Sequence, residues 1–197
     1  MTKVETAKKW LELFADQLKE NKVYLSELDT AIGDGDHGNN MARGAEALKE
    51  KITDKDYTEL TDLLKDTGMT LVSKVGGASG PLYGSAFIEM AKTVQKNPDL
   101  PLADLLEAGL EGIQKRGKAE QGEKTMVDEW IPVIQDVKNG ELTEEKIDQH
   151  IEDTKPIKAS KGRASYLGDR SIGHIDPGAA SSGILFKTML KAGVLNE

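Results

Sequence analysis

Val4-Glu5-Thr6-Ala7-Lys8-Lys9-Trp10-Leu11-Glu12-Leu13-Phe14-Ala15-Asp16-Gln17-Leu18 sets Val4, Ala7, Leu11, Phe14, Ala15 and Leu18 along one stripe at three- and four-residue spacing. That period belongs to an α-helix with one buried face. Thr2 with Glu5 reads as a capping box for it. The pattern recurs over 41–52, 60–75, 82–94, 102–113, 127–137, 142–151 and 179–190. Helix starts are marked by Gly80-Pro81, Leu100-Pro101, Thr143 with Glu144 and Glu145, and Asp176-Pro177, since proline suits the first helical position. No segment alternates β-branched and aromatic residues as a strand would, and aromatics make up only 5% of the chain. The expectation is all-α: about eight helices with short connections, hence antiparallel neighbours in an up-and-down bundle or closed helical barrel.

The 197 residues suffice for one ordinary domain with a sizeable core. With 30% charged and 38% hydrophobic residues the balance is that of a globular protein. No apolar run reaches the roughly 20 residues that span a bilayer, and the N-terminus lacks a signal-peptide core. Absence of cysteine removes disulfides and thiolate chemistry. A cytoplasmic protein that does not touch membranes follows as the expectation. The net charge of −8 argues against a nucleic-acid partner. One stretch reverses the sign: Lys155, Lys158, Lys161, Arg163 and Arg170 face only Asp169 between 154 and 170. It reads as a solvated loop, a cationic lid over phosphate, or a surface for an acidic partner. Two connections, 116–125 and 154–176, are too long and glycine-rich for simple turns, and long loops in compact domains usually carry function.

The chemistry concentrates in Leu28-Asp29-Thr30-Ala31-Ile32-Gly33-Asp34-Gly35-Asp36-His37-Gly38-Asn39-Asn40. Asp29, Asp34 and Asp36 are oxygen ligands of the kind a hard cation such as Mg²⁺ prefers. Interleaved glycines let the backbone bring them together. Without a cation such carboxylates repel and raise one another's pKa values. A plain surface turn is the alternative, since Asp and Gly are common turn formers. Gly33 to Gly38 matches a dinucleotide fingerprint literally, but a helical segment and not a strand precedes it, and two acids lie inside it. An EF-hand counted from Asp34 fails at Asn39 and Ala45, where glycine and glutamate are required. Gly112 to Lys118 is one residue short of a P-loop and follows a helix.

Phosphate binding by helix N-termini remains. Candidates are the amides of Gly38, Asn39 and Asn40, the start at Ala78 and Ser79, and the start at Asp176, Pro177 and Gly178. Arg163, on the cationic loop, suits charge-assisted contact with phosphate, with a plain solvated arginine as the alternative. His37, alone of the three histidines, lies in the cluster as a phosphate ligand or base. Met126 follows the first long loop, where it could cover an adenine face, although a helical methionine is more often core.

Asp29 with Gly33-Asp34-Gly35-Asp36-His37-Gly38-Asn39, Gly76-Gly77-Ala78-Ser79-Gly80-Pro81-Leu82-Tyr83-Gly84, Lys124-Thr125-Met126-Val127-Asp128 and Gly162-Arg163-Ala164-Ser165-Tyr166-Leu167-Gly168 through Asp176-Pro177-Gly178 together resemble the L domain of dihydroxyacetone kinases, in order along essentially the whole chain. The resemblance implies an antiparallel eight-helix barrel with the nucleotide site at one end, spanning residues 1–197 as one nucleotide-binding domain. It further implies two Mg²⁺ ions on Asp29, Asp34 and Asp36, and contacts to bound ADP from His37 to Asn40, Ala78, Ser79, Gly117, Met126, Arg163 and Asp176 to Gly178. With no substrate domain in the chain, it looks like a free-standing subunit of the phosphoenolpyruvate-driven kind. There a phosphohistidine on an M subunit converts bound ADP to ATP, which phosphorylates dihydroxyacetone on a K subunit. A component exchanging ATP each turnover, and a Mg–ADP regulatory module binding a transcriptional regulator, are the competing readings. A homodimer is left open.

Overall fold

The computed structural model describes residues 2–196, which form nine α-helices and two 3₁₀ segments, with no strand among the described residues. The α-helices are α1 (Val4–Glu20), α2 (Lys22–Ile32), α3 (His37–Thr53), α4 (Leu60–Lys74), α5 (Ser79–Lys96), α6 (Leu102–Gly117), α7 (Val127–Asn139), α8 (Glu144–Glu152) and α9 (Pro177–Ala192). The all-helical expectation holds.

Each helix from α3 to α9 packs on the next, α1 packs on α3, and α9 returns to α1. The ring therefore closes with eight members. The ninth helix, α2, packs on α3, α9 and the 3₁₀ segment Arg163–Ser171. Sequence periodicity did not separate it because only Leu25 and Ile32 are buried on it, while Val23 and Tyr24 stay exposed. None of the helices is long and apolar enough to cross a membrane.

Inside the ring lie Trp10 and Phe14 from α1, Tyr83 and Phe87 from α5, Trp130 from α7 and Phe186 from α9, all fully buried. Trp10 meets Phe87 at 6.3 Å, Phe14 meets Tyr83 at 6.2 Å, and Trp130 stands edge-on to Phe186 at 5.1 Å. Burial of one such side chain is worth roughly 1.5–3 kcal/mol, provided its polar atom finds a partner. The Trp10 Nε1 donates to the Leu185 carbonyl at 2.8 Å and the Trp130 Nε1 to the Ser182 hydroxyl at 3.0 Å.

Among the described residues, a side-chain cap opens two of the nine α-helices, α8 and α9. Thr143 accepts from the Lys146 amide and opens α8. Asp176 accepts from the Ala179 amide, with Pro177 at the first position of α9. At α1 the expected capping box does not form: Lys3 is the cap residue and no side-chain cap bond closes that end. Gly112, in the P-loop-like stretch, is a packing residue, since a Cβ there would lie 2.4 Å from the Ser85 carbonyl of α5.

Among the described residues the Ser26 hydroxyl and Glu129 of α7 are buried without partners; Glu129 is fully buried and neither carboxylate oxygen has a hydrogen-bond partner. Burial, reinforced by Asp148, Asp136 and Asp153 and only partly offset by Lys187, pushes its pKa well above the ordinary 4.5. Below about pH 4.5 the folded and unfolded chains both hold this proton. Above that the unfolded chain releases it and the folded chain keeps it, so stability falls with rising pH, by about 1.4 kcal/mol per unit while the difference lasts. Glu129→Gln should remove that slope. Thermal denaturation should show little change at pH 5 and a higher Tm than the parent protein at pH 8.

Candidate active site at the helix N-termini

α2 ends at Ile32, and Gly33 to Asp36 turn the chain back into α3. Gly35 adopts φ 75°, in the left-handed region that favours glycine. The turn brings one oxygen from each of Asp29, Asp34 and Asp36 within 4.8 Å of the others. Asp29 Oδ2 accepts from the amides of Asp36 at 2.9 Å and His37 at 3.1 Å, so the last turn of α2 is tied to the first of α3. This tie requires the two helices to cross closely. A Cβ on Gly38 would stand 1.9 Å from the Lys22 carbonyl and 2.5 Å from the Ser26 hydroxyl of α2.

The carboxylates are not equivalent. Burial raises the Asp29 pKa, with the Asp34 charge adding to it against the pull of the two amides. For Asp34, desolvation acts upward but is outweighed by hydrogen bonding with Asp36 and by the Arg163 charge, which hold it below the ordinary range. Arg163 Nη1 lies 2.8 Å from Asp34 Oδ2. One guanidinium thus faces three carboxylates. An all-oxygen donor set with that surplus of negative charge fits a hard divalent cation.

A cavity of about 220 Å³ opens beside the cluster. Asp29, Asp34, Asp36, His37, Asn40, Ala78, Ser79, Met126, Arg163, Asp176, Pro177 and Gly178 line it. Three of the expected contacts do not line this cavity. Gly38 faces α2, Asn39 is exposed, and Gly117 lines an adjoining apolar cavity with Leu82, Ile113 and Met126. Four helix starts converge here rather than three, because α7 begins at Val127 beside Thr125 and Met126. They differ in what they offer. Asp176 already caps α9, whereas neither α3 nor α5 carries a side-chain cap bond. The first amides of α5, after Ala78, are the more open to an anion.

His37 is buried and held neutral, its pKa lowered to about 4 by burial against the opposing Pro177 carbonyl. Its Nε2 bonds the Ser181 hydroxyl at 3.0 Å and its Nδ1 the Ser79 hydroxyl at 3.2 Å. Tyr83 OH continues the chain to Ser181 at 2.7 Å and Ser182 at 3.0 Å. With both nitrogens engaged, His37 joins α3, α5 and α9 and is not a free base.

Through main-chain amides, the 154–176 connection is fastened to the 116–125 connection at one point and across its own two ends at two others. Ser160 N donates to the Glu123 carbonyl at 3.2 Å, Gly173 N to the Lys155 carbonyl at 2.7 Å, and Asp176 N to Thr154 Oγ1 at 3.0 Å. Ile32, Ala159, Ala164 and Leu167 form a small apolar cluster beneath the 154–176 segment. Burial, with Asp128 adding, pushes Asp176 up to about 7 against its amide bond and the Lys124 charge. Lys124 lines the cavity too, and sequence reasoning gave it no role. A lysine after a flexible glycine-rich stretch carries no local sign of burial.

Residues 31–191 match the model of the DAK2 domain. The chain is 55% identical over 190 residues to the PEP-dependent dihydroxyacetone kinase 1, ADP-binding subunit DhaL, of Listeria innocua serovar 6a, covering 95% of this chain and 96% of that one. It is 44% identical over 189 residues to the corresponding PEP-dependent ADP-binding subunit of Escherichia coli (strain K12), covering 87% and 89% of the two. The fold is similar to the crystal structure of the dihydroxyacetone kinase from C. freundii in complex with AMP-PNP and Mg²⁺, with TM-score 0.77 and 21% identity over 97% of this chain. The present chain spans 34% of that longer kinase.

Gly38→Ala should force α2 away from α3 and spread the carboxylates. The expected cost is about 1–3 kcal/mol by chemical denaturation, at the upper end because the obstructing atom is main chain. Mg²⁺ affinity measured by calorimetry should fall with it.

Proposed function

This chain belongs to the DAK2 domain family, and we propose that it works as the ADP-binding, phosphoryl-transferring subunit of a phosphoenolpyruvate-dependent dihydroxyacetone kinase. The relatives that bear this description match it from end to end. The observation that carries the reading at the level of residues is one cavity walled by three carboxylates and by the N-termini of α3, α5, α7 and α9.

Phosphoryl transfer asks a protein chiefly for positioning and charge neutralisation. We assign Asp29, Asp34 and Asp36 as the residues that would hold Mg²⁺, two ions in all, which would neutralise the charge of the nucleotide phosphates. The amides of Asp36 and His37 hold the Asp29 carboxylate in place. Arg163, bonded to Asp34 through one nitrogen, keeps further donors for an anion. The uncapped first turn of α5 supplies amide donors near Ala78 and Ser79. Met126 and Leu82 border the apolar cavity that suits a base, with Gly117 at its edge. With the carboxylates assigned to the metal, none of these groups is left as a nucleophile, which agrees with transfer between partners through a held nucleotide.

In this reading residues 1–197 act as one nucleotide-binding domain in the cytoplasm. A K subunit carrying dihydroxyacetone receives the phosphoryl group, and an M subunit bearing a phosphohistidine supplies it.

Protein purified without added nucleotide should carry ADP by mass spectrometry. An empty, freely exchanging site would instead favour ATP exchange at each turnover. Asp34→Asn should weaken Mg²⁺-dependent ADP retention by at least the roughly 10–100-fold seen when only an outer partner of a metal site is lost, with the helical circular-dichroism signal unchanged. A variant that still retains ADP refutes the ligand assignment.

A further inference from the structure

Lys124 is 1% exposed, and its ammonium is surrounded by main-chain carbonyls. It donates to the carbonyls of Thr154 at 2.6 Å and Ile157 at 3.2 Å, and to that of His174, with Lys155 at 3.4 Å. These oxygens belong to the two ends of the 154–176 segment, while Lys124 belongs to the other long connection. Its backbone has φ 61°, in the left-handed region that a side-chain-bearing residue seldom adopts. Such a conformation persists only where the surroundings enforce it. The nearest acids, Asp176 and Asp128, are committed elsewhere. Asp176 caps α9, and Asp128 accepts the amides of Gly122 and Thr125. A buried ammonium is costly unless its protons are matched, and here the carbonyls match them.

We propose that Lys124 is a positioning residue for the nucleotide site: its carbonyl-caged ammonium closes the 154–176 segment into a loop and thereby seats Arg163 over the aspartates. Between its two anchored ends the segment carries Lys161, Gly162, Arg163 and Ala164 to the cavity wall. Asp176, next to the His174 anchor, opens α9 at the same wall. Lys124 need not touch the nucleotide for this. It acts through Arg163, and the inference rests on the reading of the cavity as a Mg–ADP site.

Lys124→Met keeps the stem and loses every donor. At a temperature where circular dichroism shows all variants folded, Mg–ADP dissociation is followed by displacement of a fluorescent ADP analogue. Lys124→Met should speed release at least tenfold, as should Arg163→Ala. If Lys124 works through Arg163, the double variant should release no faster than the faster single one. Multiplying effects, or release by Lys124→Met within twofold of the parent, would overturn the proposal. Should Lys124→Met not fold, hydrogen exchange of the nucleotide-free parent decides. The amides of Ser160 and Gly173 should open together at one rate, and independent opening refutes the cage. That measurement uses no nucleotide, so it separates failure of this inference from failure of the ADP reading.

Discussion

A buried chain of hydrogen bonds sets the geometry on which the site depends. It runs from the Trp130 indole to Ser182, Tyr83, Ser181, His37 and Ser79, crossing from α7 through α9 and α5 to α3. Apolar packing holds helices at a distance and an angle but leaves them free to slide, because it has little direction. Directional bonds in a low-dielectric interior remove that freedom, since an unpaired group there is costly. The helices joined in this way are those whose N-termini wall the cavity. Neutral His37 suits the role because a charged imidazole could not accept from a hydroxyl.

Around that frame the site balances charge unevenly. Asp29 is tied by two amides, Asp34 by Arg163, and the three carboxylates remain in excess of the cations beside them. The cations that do come near arrive on the 154–176 segment, which would be a loose loop on composition alone. It is instead stapled at Ser160, Gly173 and Lys124, and seated on the cluster of Ile32, Ala159, Ala164 and Leu167. Of the local positive surplus read in the sequence, Arg163 thus acquires a fixed place on Asp34, while Lys155 and Lys158 pair with Glu152 and Asp169.

Some features were legible in the sequence because their cause is local. Helical period, proline starts and the Asp-Gly alternation depend on neighbours within a few residues, so the all-α class and the carboxylate cluster could be read directly. α2 showed only as a helical segment before Gly33 and not in the amphipathic period, because it buries only two residues. The Thr2–Glu5 box failed because Lys3 occupies the cap position. That Gly38 also serves the crossing with α2 carries no local signal. Asp176 lines the cavity and at the same time caps its own helix with its carboxylate.

The sequence by itself determined the elements, their amphipathic faces and the residue types at the metal cluster, because each follows from short-range stereochemistry and ligand preference. Only the tertiary structure decided which helix starts converge, which of them remains uncapped, and that Lys124 is buried against carbonyls some thirty to fifty residues away. Those outcomes depend on which surfaces meet when the ring closes. Desolvation then turns ordinary polar groups into partners that must find one another, and no local pattern of residues records that pairing.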